Sequence, residues 1–293
     1  MKVGIYGQFY HKNSGQYIQQ LLELLDNRPV EVVIEKNFLN LIHENESIKK
    51  DYSYFSTFEE LDNTYSLFFS IGGDGTILQS VTYVRGLGIP IVGINTGRLG
   101  FLATIRKEEL KKSIHEIFEG NYTISSRSLL QIESSCGKDF EGVNFALNEI
   151  AVSRKNTTSM ITVHTKVDEE FLTSYWADGL IISTPTGSTG YSLSCGGPII
   201  MPETCSFLLT PIAPHNLNMR PLSIPQEHEI KLTISGREEE HLVSLDSRTY
   251  TLKNETEIVL KKAPFEINMV SLAEESFLKT LREKLLWGED KRN

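Results

Sequence analysis

Cysteine is scarce in this chain: Cys136, Cys195 and Cys205 are the three in 293 residues, with no C-x-x-C spacing. That excludes a disulfide scaffold and the usual structural zinc site, and it fits a reducing cytosol. A basic excess is also missing. Lys and Arg number 29 against 38 Asp and Glu, a net charge of −9, and a broad nucleic-acid surface needs the opposite sign to displace counterions from phosphates. No apolar run approaches the ~20 residues that cross a bilayer. The opening Met1-Lys2-Val3-Gly4-Ile5-Tyr6-Gly7 is too short an apolar stretch for a signal peptide and reads as a first strand. The expectation is a soluble, cytoplasmic protein with neither a nucleic-acid nor a membrane partner.

Several chemical motifs are absent as well. There is no G-x-x-x-x-G-K-[ST] and no G-x-G-x-x-G, so neither the usual mononucleotide loop nor the usual dinucleotide fingerprint is present. Thr186-Gly187-Ser188-Thr189-Gly190 is not a hydrolase elbow, because G-x-S-x-G needs a residue between glycine and serine. His43-Glu44 and His115-Glu116 lack the second histidine of H-E-x-x-H. No residue is singled out as a direct metal ligand.

What remains is ordinary globular material, 40% hydrophobic and 23% charged, in a chain long enough for two domains. The first 120 residues alternate strand and helix. Ser14 can cap a helix whose Ile18, Leu21, Leu22 and Leu25 keep the spacing of one helical face. Val30–Ile34, Ser66–Ile71 and Pro90–Asn95 read as strands, and helices follow over Ile77–Val84 and around Leu110, Ile114 and Ile117. That alternation means a parallel sheet with helices on its faces. From about residue 121 to 270 the chain offers short strands and turn pairs such as Val167-Asp168 and Asp246-Ser247. A final helix carries Phe277, Leu278, Leu281 and Leu285 on one face and needs a surface to cover. The fold expected is α/β plus all-β: an N-terminal Rossmann-like parallel α/β domain over 1–124, to which 272–293 returns with the C-terminal helix, and a β-rich domain over 125–271.

Three stretches can carry chemistry. Gly72-Gly73-Asp74-Gly75-Thr76 lies between a strand and a helix, where glycines allow close approach and free N–H groups favour phosphate. A carboxylate inside such a loop repels phosphate, so Asp74 must serve another purpose, either taking a proton from a hydroxyl or helping to hold Mg²⁺. The plainer reading is a glycine-rich turn with Asp74 or Thr76 as N-cap. The second stretch, Trp176 to Ser194, feeds a strand into a loop rich in Ser, Thr and Gly with one Tyr; it suits a base-and-ribose ligand. The third, Asn148-Glu149, breaks an apolar strand and on its own reads as an edge or a bulge.

Gly72-Gly73-Asp74-Gly75-Thr76, Asn95-Thr96-Gly97-Arg98-Leu99-Gly100-Phe101, Asn148-Glu149 and the segment from Asp178 to Pro198 together resemble the NAD kinase family, in order and over most of the chain. His215-Asn216-Leu217 with Arg220-Pro221-Leu222, and Val243-Ser244-Leu245-Asp246, add to the likeness. The resemblance implies phosphoryl transfer from ATP, with Mg²⁺ or another divalent cation, to the 2′-hydroxyl of the adenosine ribose of NAD. It implies Asp74 as general base, and Gly72, Gly73, Gly75 and Thr76 against phosphates. Asn148 and Thr189 would contact adenine with Phe101 nearby; Glu149 and Asp178 would bind the nicotinamide ribose and carboxamide. Asp74 and Gly75 count among the NAD-binding residues too, as do Thr186, Ser188, Gly190, Tyr191, Ser192, Leu193 and Ser194. A homo-oligomer, dimer or tetramer, is implied. The chain departs from the family at Trp176, often basic or small, at Gly190, usually alanine, and at Asp246-Ser247, commonly Asp-Gly. The alternatives are a lipid kinase of the diacylglycerol or sphingosine type, which shares only the glycine motif, and a sensor that binds NAD(P) without turnover.

Overall fold

Buried β-branched and aromatic runs make the strands of the first half, and a computed structural model places them side by side. It describes residues 1–8, 15–46, 50–135, 137, 140, 142–156 and 159–286. Ser14, offered above as a helix cap, lies outside those residues. The chain divides into two units: Met1–Ser126 with the segment from Ile267 onward, and Arg127–Glu266.

The first unit is built on one sheet, in the order Ser53–Phe55, Glu31–Glu35, Lys2–Gly7, Tyr65–Gly72, Ile91–Asn95, Ile267–Leu272 and Tyr122–Arg127, with Ile105–Arg106 also pairing to Ile91–Asn95. The pairs from Ser53–Phe55 through Ile267–Leu272 are parallel. Parallel neighbours require crossovers, supplied here by the helices Gly15–Asp26, Lys36–Asn45 and Asp74–Val84. Ile18, Leu21, Leu22 and Leu25 of the first helix and Leu110, Ile114 and Ile117 of the helix Leu110–Phe118 are buried in one core with Ile5, Ile34, Phe69 and Ile94. Each such side chain contributes roughly 1.5–3 kcal/mol on leaving water.

Two details differ from expectation. A helix, Lys36–Asn45, follows the strand Glu31–Glu35, and the carboxylate of Glu35, 2% exposed, accepts from Phe38 N at 2.9 Å as its cap. The terminal helix Phe277–Leu285 does pack on the first unit, through buried Thr280 and Leu281. Its apolar face is narrower than the spacing implied, because Leu278 is 51% and Leu285 39% exposed.

The second unit holds two six-stranded sheets, ordered Glu170–Ala177, Ile161–Val167, Ile230–Gly236, Glu257–Lys262, Leu130–Ser134, Phe145–Ala146 and Leu222–Pro225, Ser206–Ile212, Gly179–Ser183, Glu149–Arg154, Glu240–Leu245, Arg248–Lys253. Ile132, Val163, Leu232 and Leu260 of one sheet share a dry core with Val152, Ile182, Leu209 and Val243 of the other. The chain crosses from one sheet to the other at Leu147-Asn148, between Phe145–Ala146 and Glu149–Arg154. Among the described residues, no helix is long and apolar enough to cross a membrane.

Candidate functional site

In the first unit the strand Tyr65–Gly72 runs straight into the helix Asp74–Val84. The helix opens at Asp74, three residues before the apolar period begins, with Gly73 as N-cap and no side chain capping its first turn. Neither Asp74 nor Thr76 is therefore the cap. An uncapped helix start presents free N–H groups and the positive end of the helix dipole, a fitting place for phosphate. Gly75 is exposed and Thr76 buried. A Cβ at Gly72 would stand 2.1 Å from Thr76 Oγ1, so only glycine lets that threonine close the turn.

The Asp74 side chain is fixed by a distant loop. Its Oδ2 accepts from Phe101 N at 2.8 Å, and its Oδ1 accepts from Leu102 N at 3.0 Å and Ala103 N at 3.1 Å. That loop is shaped in turn by buried Asn95, which donates to the carbonyls of Arg98 (2.8 Å) and Ala103 (3.3 Å) and accepts from Gly97 N at 2.8 Å. Gly100 is required by close approach, since a Cβ there would lie 1.9 Å from Asp74 Oδ1. A carboxylate offers about four lone-pair directions. With three occupied by amides, one is left to meet a hydroxyl. Phe101 lies beside Phe277 of the terminal helix, ring centroids 6.2 Å apart.

In the second unit the structure brings Asn148 and Glu149 together with the loop 184–194. The carbonyl of Asn148 accepts from Thr184 N at 2.9 Å, and that of Leu147 from Thr184 Oγ1 at 2.6 Å. A Cβ at Gly187 would come 2.0 Å from the Asn148 carbonyl oxygen. Ser188 and Ser192 are fully buried, and their hydroxyls brace the loop, Ser188 on Ile200 (N–H at 2.9 Å) and Ser192 on Thr210 at 2.8 Å. Thr189 Oγ1 donates to the Thr186 carbonyl at 3.2 Å. Leu193 and Ser194 complete one helical turn, Tyr191–Ser194, in which Tyr191 is 45% exposed.

Glu149 accepts from Tyr191 N–H, while its Oε2 is buried with no hydrogen-bond partner among the described residues. Burial first, and the nearby Asp246 carboxylate second, push its carboxyl up to about 7. Such a group exchanges its proton near neutrality and can donate a hydrogen bond as well as accept one. Asp178 pairs with Arg154 at 2.9 Å. Trp176 packs on His215, ring centroids 4.9 Å apart.

Asn95 and the Asp246-Ser247 turn stand among the sequence patterns above, but residue patterns alone give neither of them, nor Thr184, a role in the site. Asp246 Oδ1 accepts from Asn148 N at 2.8 Å and Glu149 N at 3.2 Å, and Oδ2 from Leu147 N at 3.0 Å. The one signal for that turn was a polar pair between alternating strands, which marks a hairpin but names no partner. Among the described residues, no group of three His, Cys, Asp or Glu is placed to hold a metal ion.

Comparison with known proteins joins the two units. The ATP-NAD kinase N-terminal domain matches residues 3–122, and the ATP-NAD kinase C-terminal domain matches 147–272. A NAD kinase of Christiangramia forsetii is 65% identical over the full length of both chains, and one of Flavobacterium psychrophilum is 55% identical over the same span. Among solved structures, yeast NADH kinase complexed with NADH aligns with a TM-score of 0.89 at 25% identity, over 99% of this chain and 88% of that one. A NAD kinase from Archaeoglobus fulgidus in complex with ATP aligns at 0.76 and 26% identity, over 98% and 99%. The matches run through both units in order and leave no room for a likeness limited to the glycine motif: this chain belongs to the NAD kinase family.

Proposed function

We propose that the chain transfers the terminal phosphoryl group of ATP to the 2′-hydroxyl of the adenosine ribose of NAD, giving NADP and ADP. The observation that carries the mechanism is the Asp74 carboxylate, held by the amides of Phe101, Leu102 and Ala103 beside an uncapped helix start. A secondary hydroxyl is a poor nucleophile at pH 7. A carboxylate already oriented, with one acceptor direction left, takes its proton as the oxygen attacks phosphorus. Gly72, Gly73, Gly75 and Thr76 hold phosphate against the helix start. A sensor that only binds NAD(P) has no use for a carboxylate kept in such a place.

The NAD-binding residues we assign are Asp74, Gly75, Phe101, Asn148, Glu149, Asp178 and the loop residues Thr186, Ser188, Thr189, Gly190, Tyr191, Ser192, Leu193 and Ser194. Asn148 and Thr189 take the adenine end, Glu149 and Asp178 the nicotinamide ribose and carboxamide. Glu149, charged or neutral near pH 7, can accept from or donate to a ribose hydroxyl. The donor set fits a cation brought by the nucleotide. The one acceptor direction left on Asp74 goes to the hydroxyl, so the cation would be held by the phosphates of ATP and by water, as Mg²⁺ commonly is in phosphoryl transfer. When bound, Mg²⁺ or another divalent ion neutralises the charge that develops on the transferring phosphoryl group. We further assign a homo-oligomer, dimer or tetramer, and a cytoplasmic setting in which Cys195 and Cys205 are free thiols.

The test is to incubate the purified chain with Mg²⁺, crossing NAD and NADH with ATP and polyphosphate, and to identify products by mass spectrometry. NADP from NAD and ATP is expected. Absence of any phosphorylated dinucleotide overturns the assignment.

A further inference from the structure

The segment 143–149 does something unusual for a strand: it leaves one sheet after Ala146 and enters the other at Glu149. A chain changing sheets loses its ladder partners for a residue or two, and its buried amides then need other acceptors. Here they find them almost 100 residues later, in a two-residue hairpin. Asp246 and Ser247 join the strands Glu240–Leu245 and Arg248–Lys253, with Leu245 opposite Arg248. The carboxylate of Asp246 collects the N–H groups of Leu147, Asn148 and Glu149, and Asp246 N donates back to the Glu149 carbonyl at 3.0 Å.

Arg248 completes the grip. Its Nη1 donates to the Val143 carbonyl at 2.8 Å, and its Nη2 to the Phe145 carbonyl. The hairpin therefore holds both faces of the crossing backbone, carbonyls by Arg248 and amides by Asp246. Thr184 takes the remaining carbonyls of Leu147 and Asn148 from the side of the ligand loop. Asp246 keeps a positive φ of 50°, a left-handed turn conformation that aspartate tolerates better than most side chains.

We propose that Asp246 and Arg248 are positioning residues that set the Asn148-Glu149 pair for the dinucleotide, acting through the backbone of residues 143–149. The proposal rests on the NAD kinase reading above. Neither side chain needs to touch substrate. A guanidinium suits this role because its planar fork meets two carbonyls at once, whereas a lysine can replace only one of the two bonds. Misplacement of a binding group by about 1 Å is enough to cost on the order of 10²-fold in rate or affinity.

A fold staple and a positioning device make different predictions. We would compare wild type with Arg248→Met, Arg248→Lys and Asp246→Asn, measuring kcat, KM for NAD, KM for ATP and thermal stability. Arg248→Met should raise KM for NAD about tenfold, with KM for ATP and kcat changed by less than about threefold, and Arg248→Lys should recover part of the loss. Asp246→Asn should raise the same constant. Should Arg248→Met not fold, Arg248→Gln, which can still serve one carbonyl, is read in the same way. A folded Arg248 variant with an unchanged KM for NAD overturns the proposal, as does a rise shared equally by NAD and ATP. A wild type that forms no NADP overturns the functional reading and this proposal with it, so the two failures are told apart by the wild-type assay.

Discussion

Two aspartates in this chain are held in the same way and for opposite ends. Asp74 receives the amides of Phe101, Leu102 and Ala103; Asp246 receives those of Leu147, Asn148 and Glu149. Each is one carboxylate facing three consecutive N–H groups. Asp74 stands at an open helix start, partly exposed, whereas the Asp246 side chain is 4% exposed with Arg248 4.0 Å away. On the function proposed above, the amides of the first unit orient a carboxylate that is itself the working group. In the second, the carboxylate orients the amides of Leu147, Asn148 and Glu149, and of these the proposal has Asn148 and Glu149 meet the ligand. Burial decides which partner is the tool and which is the anchor.

The sharpest way to break that comparison is to remove each carboxylate. Asp74→Asn should lower turnover by about 10²–10⁴-fold, the range for losing a general base. Asparagine keeps one acceptor oxygen for the amides of Phe101, Leu102 and Ala103, the last two in buried residues, so the unfolding free energy should fall by only about 1–2 kcal/mol. Asp246→Ala should do the reverse in emphasis. It removes the acceptor of all three N–H groups at once, that of buried Leu147 and those of part-buried Asn148 and Glu149, each costing roughly 1–3 kcal/mol when left unpaired, and should lower unfolding stability by at least about 3 kcal/mol in urea titrations. If Asp74→Asn keeps wild-type turnover, or Asp246→Ala keeps wild-type stability, the division of labour is wrong.

Gly100→Ala tests the first unit without touching a charge. The added Cβ would fall 1.9 Å from Asp74 Oδ1, and a carboxylate tied by three amides cannot swing aside. Turnover should drop about 10–10²-fold while the helical circular-dichroism signal stays unchanged. An active Gly100→Ala would mean that the loop gives way and the carboxylate is less firmly oriented than its bonds imply.

The sequence made the first half of this comparison easier to see than the second. Strand, glycines and helix stand next to one another at 65–84, so the phosphate turn was legible by local rules. The helix nonetheless begins three residues before its periodic signal, because Asp74-Gly75-Thr76 carries no apolar period. The helix Lys36–Asn45 escaped for a related reason: Phe38, Leu39 and Ile42 alone are buried in it, and its cap is a glutamate. Asn148-Glu149 read as an edge or a bulge. What makes it a crossing between sheets is Asp246, 98 residues beyond Asn148, and periodicity carries no information about that distance. The terminal helix erred in the other direction. Leu278 and Leu285 share the spacing of a buried face, yet a short helix covering a narrow strip leaves them in water.

A smaller effect separates the carboxylates by proton affinity. Glu149 titrates near 7 in the folded chain against an ordinary 4.5. Between those values the folded state keeps a proton that the unfolded chain has released, so stability falls as pH rises through the window, by up to about 3 kcal/mol. Glu149→Gln removes that slope. Its unfolding free energy relative to wild type should climb from pH 4.5 to 7.5, measured by urea denaturation at several pH values. Burial lowers the His241 ring below its ordinary range and gives a slope of opposite sign, but it is present in both proteins and cancels in the difference. Parallel curves would mean that Glu149 is charged throughout and that Asp246 exerts no effect on it.

The smallest effect is the most discriminating, because it repeats the Gly100 experiment on a carboxylate that is not tied down. A Cβ at Gly190 would lie 2.8 Å from Glu149 Oε2 and 3.2 Å from the Gly187 carbonyl. The crowding resembles that at Gly100 in kind, but Glu149 is held by one N–H, from Tyr191, and its Oε2 has no partner among the described residues. The end of a flexible side chain can move by the few tenths of an ångström required, at a cost of about 0.5–1 kcal/mol. Gly190→Ala should therefore change KM for NAD by less than about threefold and stability by less than about 1 kcal/mol. If it proves as damaging as Gly100→Ala, Glu149 is fixed as rigidly as Asp74. The contrast between a carboxylate held by three amides and one held by a single amide would then lose its force.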